Sequence, residues 1–203
     1  MTNQLNKISL ALFMGFSSVA YAQQINDNNT PLHLMKPEYR VGYGVSKVES
    51  VKRTMDRVLN YINAETPAVL IDKKTGKEIT RMKDINADTY LKQGGFRLTS
   101  YEWGVTYSGV LAAYEATGDD SYRDYVYKRH KLLAEMAPYF TKVYQKGGSL
   151  DVNVRRVIDP HALDDAGAVC CSMIKSMATI FKNSDKGLRQ LIDERIVLYV
   201  NLM

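Results

Sequence analysis

Apolar residues recur at helical spacing through most of the chain after residue 45. The first such stretch, residues 46–67, has its apolar residues three and four positions apart. They are Val48, Val51, Met55, Val58, Leu59 and Ile62. The pattern predicts an amphipathic helix, with Ser46 and Glu49 as a capping box at its start and Pro67 at its end.

The period then changes, because residues 69–80 contain two short apolar runs around Lys-Lys-Thr-Gly. Such runs predict a small β-hairpin or another extended excursion. Residues 83–98 show no period and include Gly94-Gly95, so we expect irregular structure there.

Helical spacing resumes after Trp103 and predicts four more helices. The first is expected over about 104–117, ending at Gly118. The second begins at 119–121 and extends to about 136, with Pro138 opening a continuation. Residues 145–160 are expected to be a loop, and the last two helices cover about 163–181 and 188–203. About five helices in hairpins predict a nearly all-α domain.

The first 22 residues have a different character. Lys7 is followed by an apolar run over residues 8–19 and then by Ala-Tyr-Ala, which ends at Ala22. This pattern predicts a secretory signal peptide over 1–22, a leader over 23–44 and one domain over 45–203. We therefore expect a secreted or periplasmic protein, cleaved near Ala22, with no membrane span in the mature chain.

Charge and cysteine content exclude several classes of function. The net charge is +5, but acidic residues separate many of the basic ones, which does not favour nucleic-acid binding. Cys170 and Cys171 are adjacent, so they cannot readily form a disulfide with each other and offer no zinc spacing. We expect both in the core. Neither a phosphate loop nor a metal-ligand cluster stands out, and no cofactor or metal is expected.

Trp103 and Tyr107 are the first candidate binding residues. They lie four positions apart near a predicted helix start, so they share one face. Two aromatic rings there could stack on a sugar, and the helix N-terminus would favour a carboxylate. The alternative is a pair of aromatic residues in the core.

Asp164 and Asp165, in the stretch "IDPHALDDAGA", are the candidate catalytic residues. Neighbours on a helix point about 100° apart, so the two do not form an acid–base pair with each other. One could cap the helix while the other faces a cavity, and His161 could share a face with Asp165 if the helix begins near Pro160. Capping by both is the alternative. Substrate carboxylates could bind to the arginines Arg97, Arg155 and Arg156.

Taken together, "YEWGVTYSGVLAAYEATGD", "YRDYV" and "HALDDAGA" resemble the unsaturated rhamnogalacturonyl and glucuronyl hydrolases of glycoside hydrolase families 105 and 88. The resemblance runs from about residue 45 onward. It implies an (α/α)6 barrel that acts on lyase-generated oligosaccharides ending in an unsaturated uronic acid. An aspartate of such enzymes donates a proton to the C4=C5 bond and activates water, which adds at C5.

The resemblance also implies roles for individual residues. Trp103 is similar to a substrate-stacking tryptophan. Asp165 is the preferred match to the first active-site aspartate, with Asp164 as the alternative. The family's principal acid/base aspartate lies in a segment resembling Leu-Trp-Leu-Asp-Asp, and this chain has no such segment, since Trp103 is its single tryptophan.

The final apolar helix ends at Met203 without a cap. We therefore expect a truncated N-terminal part of the barrel, which carries part of the pocket and lacks the main proton donor. The alternatives are a non-catalytic carbohydrate-binding protein and a helical-repeat interaction module.

Overall fold

The computed structural model describes Leu34 and residues 45–202, with side chains up to residue 197. The predicted signal peptide and leader lie outside the described residues, apart from Leu34. The elements are α1 (Val48–Glu65), β1 (Leu70–Asp72), a short 3-10 helix (Met82–Asp84), β2 (Thr89–Leu91), α2 (Tyr101–Thr117), α3 (Asp120–Gln145), α4 (Val152–Ile158), α5 (Leu163–Thr179) and α6 (Lys186–Leu202).

This composition confirms the predicted mostly helical fold with a small β excursion. The described part has six α-helices where the pattern predicts about five. Closure into an (α/α)6 barrel stays a prediction. No helix in the described part is long and apolar enough to cross a membrane.

Helix α1 begins without the predicted capping box. Its N-cap is Lys47, which makes no side-chain cap, and Glu49 lies in the first turn. The helix ends at Glu65, two residues before Pro67, because proline cannot donate to the helical ladder. The prediction of the helix is confirmed, and that of its cap is wrong.

Polar contacts hold α1 parallel to α3. Lys52 binds Asp119 at 2.6 Å, and the Tyr122 hydroxyl donates to Asp56 at 2.7 Å. At the far end of α1, the buried Arg129 donates to the backbone oxygen of Thr66 at 2.6 Å. The Thr66 carbonyl lies at the C-terminus of α1, which is the negative end of the helix dipole, so it stabilises the charge of the guanidinium.

Residues 69–80 fold back on themselves as predicted, with an antiparallel bridge between Ile71 and Glu78 that two backbone hydrogen bonds flank. Strand β1 also pairs antiparallel with the more distant β2, with Leu70 opposite Leu91, and the sequence pattern does not predict this second pairing. Strand β2 falls in the stretch predicted to be irregular. Leu70 and Leu91 are both buried, and the burial of this cross-strand pair stabilises the two short strands.

Helices α2 and α3 form a hairpin with the predicted turn. Gly118 ends α2 with a positive φ of 67°, a conformation that glycine adopts at little cost. The Asp119 carboxylate then accepts a hydrogen bond from the Ser121 amide and caps α3. Helix α3 continues through Pro138 to Gln145, so the predicted break near residue 136 is wrong.

The stretch predicted as a loop between residues 145 and 160 contains helix α4. The Asp151 carboxylate accepts hydrogen bonds from the amides of Asn153 and Val154, which satisfies the free N–H groups of its first turn. Its buried residues Val154 and Val157 pack into the core. Two neighbouring glycines and the short length hide this helix from pattern analysis.

Helices α5 and α6 appear where the pattern predicts them, joined by a turn in which Lys182 and Asn183 have positive φ. Cys170 is buried as expected, but Cys171 is exposed, and both are free thiols. The expectation that both cysteines lie in the core is therefore wrong for Cys171, which the helical rotation of about 100° turns outward.

Candidate functional site

Helices α2 and α5 lie side by side and run in the same direction. Near their N-termini, the Tyr101 amide donates to Asp165 at 2.9 Å. Near their C-terminal ends, Glu115 and Lys175 form an ion pair at 3.0 Å. Both helix N-termini therefore lie at the same end of the pair, and the predicted site residues of both helices lie there too.

Gly104 allows this close approach. A Cβ at Gly104 would lie 2.6 Å from the carbonyl oxygen of Ala168 and 2.5 Å from the nitrogen of Val169, too close for any side chain. The backbones of α2 and α5 are thus in contact at this point. The glycine of Tyr-Glu-Trp-Gly has a packing function that fixes the two N-termini relative to each other.

Asp165 joins three elements at this junction. One carboxylate oxygen accepts the Tyr101 amide, and the other accepts Nε of Arg156 on α4 at 3.0 Å. Ser100, the N-cap of α2, makes no side-chain cap, so Asp165 serves as the cap from another helix. Both oxygens are engaged, and positive charge from Arg156 and two helix N-termini surrounds the carboxylate.

Asp164 has a different environment. Its side chain is exposed, and one oxygen accepts the backbone amide of Asp165 at 2.8 Å. Among the described residues no basic side chain pairs with it. The two neighbouring aspartates therefore divide their tasks: Asp165 links α2, α4 and α5, while Asp164 offers an oxygen to solvent.

Further charges lie around the start of α2. The pKa of Glu102 is lowered, first by a hydrogen bond from Ser100, then by its own amide, and more weakly by Arg156 and Arg97. Both arginines therefore act electrostatically on this surface. Arg97 and Arg155 are exposed, so a carboxylate from solution can reach them.

His161 does not share a helical face with Asp165, because α5 begins at Leu163 and His161 precedes it. Its Nε2 lies 3.2 Å from a carboxylate oxygen of Asp159, and the Tyr144 hydroxyl donates to the same oxygen at 2.8 Å. The Asp159 carboxylate raises the pKa of Tyr144. The side chain of His161 is 67 % exposed, so its ring is open to solvent.

Trp103 and Tyr107 both face the core. Trp103 is only 6 % exposed, stacks on Phe96 and donates its indole N–H to Tyr125 at 3.0 Å. Tyr107 is fully buried, and its hydroxyl donates to the carbonyl of Leu98 at 3.0 Å. Burial raises the pKa of Tyr107 well above its usual value.

Trp103 also lines a cavity of about 530 Å³ between α1 and α2. The other lining residues are mostly apolar: Met55, Val58, Leu59, Ile62, Phe96 and Val110, with three threonine or tyrosine side chains among the rest. Sugar hydroxyls that enter an apolar site lose hydrogen bonds to water and need partners there. This cavity therefore suits an apolar group, whereas the α2–α5 junction presents charged side chains.

Two buried residues in this region escape sequence analysis. Arg195 of α6 is fully buried and contacts the start of α5, and His130 of α3 is buried against the ring of Tyr107. A signal for Arg195 exists, because it lies in helical register with Leu188, Leu191 and Ile192 on the buried face of α6. Within the described residues, no group of three or more His, Cys, Asp or Glu side chains could hold a metal ion.

A comparison with known families identifies a match over most of the described helices. The model of the family described as Glycosyl Hydrolase Family 88 matches residues 70–201, about two thirds of the chain. The matched range contains α2 through α5 and both aspartates of the junction. No curated protein matches the chain.

Proposed function

The chain belongs to glycosyl hydrolase family 88, and on this premise we propose that it acts on oligosaccharides ending in an unsaturated uronic acid. Family membership supports a glycosidase of the unsaturated uronyl type in general. The proposal adds a site, the junction of α2 and α5, and a reaction, hydration of the C4=C5 bond. Lyase-degraded pectin or a related polysaccharide would supply such substrates.

The observation that carries this proposal is the unequal environment of Asp164 and Asp165. Asp165 is held by the Tyr101 amide and by Arg156, so it is suited to holding the site together. Asp164 is exposed and has no basic partner among the described residues, so a ligand from solution can reach its carboxyl group. We therefore assign proton transfer to Asp164.

The proposed reaction consumes one water molecule. Protonated Asp164 donates its proton to C4 of the unsaturated ring, and the resulting carboxylate takes a proton from water as the oxygen of that water bonds to C5. The product is a hemiketal at C5, which opens and releases the neighbouring sugar. Arg97 and Arg155, both exposed, would attract the uronate carboxylate, and the positive end of α2 would add to this attraction.

The test uses the purified full chain and a lyase-generated unsaturated disaccharide of pectin. The C4=C5 bond conjugated to the carboxylate absorbs ultraviolet light, and this absorbance disappears on hydration. We expect loss of absorbance with the wild type and none with Asp164→Asn. If the wild type is folded but neither changes the absorbance nor binds the disaccharide in titration calorimetry, the proposed function is wrong.

A second candidate is binding without turnover. It is favoured by the contacts of Asp165, which the family resemblance prefers as an active-site aspartate, because both of its oxygens are already engaged. In that case calorimetry would show saturable binding of the unsaturated disaccharide while its absorbance stays constant. Binding that is lost in Arg97→Ala would locate the ligand at the same junction.

We also propose export from the cytoplasm through the signal peptide at residues 1–22. The support is the charged, apolar and small-residue pattern that ends at Ala22. Mass spectrometry of the protein from its native host would then find Gln23 at the N-terminus. A cytoplasmic protein that retains its first 22 residues would exclude export.

A further inference from the structure

Arg195 lies on α6 and its side chain is fully buried. Its guanidinium donates to the carbonyl oxygens of Arg156 and Val157 at 2.9 and 2.7 Å, in the last turn of α4. It also donates to the carbonyl oxygens of Asp165 and Ala166 at 3.2 and 3.3 Å, in the first turns of α5. One side chain thus bridges both ends of the segment 158–164.

The two pairs of hydrogen bonds have different physical meanings. The carbonyls at the end of α4 have no partner within that helix, so a donor from elsewhere is needed. Those of Asp165 and Ala166 already face amides one turn further along α5, so the helix forms without Arg195. The second pair therefore serves to fix where α5 begins relative to the end of α4.

The same contacts form a closed ring of hydrogen bonds. Arg195 binds the backbone of Arg156, the side chain of Arg156 binds the carboxylate of Asp165, and the backbone of Asp165 binds Arg195 again. The other oxygen of that carboxylate caps α2 through the Tyr101 amide. A shift of the guanidinium would move the carboxylate relative to α2 and carry Asp164 with it.

Burying a guanidinium costs free energy, because its charge loses contact with water. The effect is visible in the pKa of Arg195, which burial lowers to about 10. Apolar side chains occupy the neighbouring buried positions of α6, Leu188, Leu191 and Ile192. A further leucine or methionine would fill the core at position 195 without this cost, but it could not bridge α4 and α5.

We propose that Arg195 is a positioning residue for the α2–α5 junction, which sets the spacing of α4 and α5 and so the position of Asp164. This inference rests on the proposed function for its kinetic readout. Its structural readout, the geometry at Tyr101, is independent of that function. Arg195 does not touch the substrate in this proposal and acts through Arg156 and Asp165.

The variants are Arg195→Met, Arg195→Lys and, as a matched control, Arg189→Met. Methionine keeps the length of the side chain and removes both the charge and the donors. Lysine keeps the charge, but its single ammonium group cannot span two pairs of carbonyls. Arg189 is an exposed arginine of the same helix, and its side chain makes no hydrogen bond within the described residues.

The measurements are kcat and KM for the unsaturated disaccharide, and hydrogen exchange of the Tyr101 amide by NMR. For Arg195→Met we expect kcat to fall about 100-fold with KM changed less than threefold, because a displaced acid affects the reacting step more than binding. We expect the Tyr101 amide to exchange at least tenfold faster. Arg195→Lys should show the same changes at smaller size, and Arg189→Met neither.

Wild-type kcat and wild-type protection of Tyr101 in a folded Arg195→Met would overturn the proposal. If Arg195→Met does not fold, Arg195→Lys decides in the same way. If the wild type has no turnover, the proposed function fails separately, and Tyr101 exchange alone decides whether Arg195 positions the junction.

Discussion

The two aspartates at the start of α5 are adjacent in sequence, yet only one of them has its carboxylate open to solvent. Asp165 binds Arg156 and the Tyr101 amide, and Asp164 faces solvent. The helical rotation between neighbours separates the two environments. The sequence favours Asp165 as the active-site aspartate, with Asp164 as the alternative; our proposal takes the alternative, because both oxygens of Asp165 are already engaged.

Substitution by asparagine should separate the two roles. Asp164→Asn removes the carboxyl group that we propose transfers the proton and touches no buried contact, so we expect turnover to be lost and the midpoint of urea unfolding to stay within error. Asp165→Asn removes the charge that faces Arg156, so we expect the free energy of unfolding to fall by about 1–3 kcal/mol. Equal stability losses in the two variants would contradict this division.

Burial perturbs the pKa of His130 strongly. Its ring is fully buried, with Nδ1 at 2.7 Å from the Ser176 hydroxyl and Nε2 at 3.3 Å from that of Ser172. Burial without a carboxylate partner among these contacts lowers its pKa from 6.5 to about 3. The two hydroxyls accommodate a neutral ring, which can donate from one nitrogen and accept at the other.

This perturbation predicts a pH dependence of stability. The folded-state pKa of His130 is below the unfolded value, so protonation favours the unfolded state. We therefore expect stability to fall as the pH decreases from about 6.5 towards 3, by about 1 kcal/mol per pH unit, and no contribution from His130 above that range. Urea unfolding at pH 7.0, 6.0 and 5.0 measures the slope.

The interval between pH 6.5 and 5 isolates the histidine. Asp56, Asp119 and Asp185 also have lowered pKa values, but carboxylates of this kind lose their contribution only as the pH falls below their unfolded value of 3.8. His130→Gln should flatten the slope in that interval, and His161→Gln should retain it. An unchanged slope in His130→Gln would assign the dependence to another group.

At the scale of elements, the contact between α2 and α5 depends on one missing side chain. Gly104 has no room for a Cβ, whereas Gly109, on the same helix, has no heavy atom within 4 Å of that position. Two glycines that look equivalent in sequence therefore have opposite structural roles. Only Gly104 is required by the packing.

Alanine at these two glycines is a matched pair. Gly104→Ala should push α2 and α5 apart and lower the free energy of unfolding by about 1–3 kcal/mol. Gly109→Ala should raise it by up to about 1 kcal/mol, because alanine has the higher helix propensity. Thermal unfolding followed by circular dichroism gives both values, and a stabilising Gly104→Ala would show that the two helices can separate freely.

The elements that sequence analysis predicted well are those whose signal is local. Helices α2, α5 and α6 follow from apolar spacing, and the turn at Gly118-Asp119 follows from glycine and capping chemistry. Strand β2 was missed because its partner β1 is remote in sequence, and α4 was missed because it is short. A local pattern cannot show a pairing between distant strands, and seven residues are too few for a helical period to stand out.

The candidate site was predictable only as a set of residue types. The sequence identifies Asp164, Asp165 and Trp103 as candidates, but the exposure that distinguishes the three side chains depends on contacts between distant residues. Trp103 is the clearest case, since its indole meets Tyr125 and Phe96 in the interior. The Arg156–Asp165 pair likewise joins two elements whose approach no spacing rule describes.

At the scale of the whole molecule, α1 is the least securely packed helix of the described part. Between α1 and α2 lies the mostly apolar cavity of about 530 Å³, and polar contacts to α3 provide much of its attachment. Regions with incomplete apolar packing open at lower free energy than the core. The described helices should therefore not exchange their amide protons uniformly.

Native-state hydrogen exchange should show α1 opening before α5. We expect amides of residues 52–65 to exchange with a lower free energy than those of residues 166–177. Arg129→Met should lower the protection of α1 further, because Arg129 holds the end of that helix through Thr66 and Asn63. The exposed Lys128→Met is the control, and equal protection of both helices would contradict the packing argument.

The partnership of α2 and α5 also has a consequence for the growing chain. Tyr101 and Asp165 are 64 residues apart, so the surface of α2 around Gly104 has no partner until a further 64 residues have been made. At about 5–20 residues per second, the ribosome would need roughly 3 to 13 seconds for that stretch. During synthesis the start of α2 therefore stays exposed until α5 has been made. In that interval the exposed surface is a binding site for a holding chaperone.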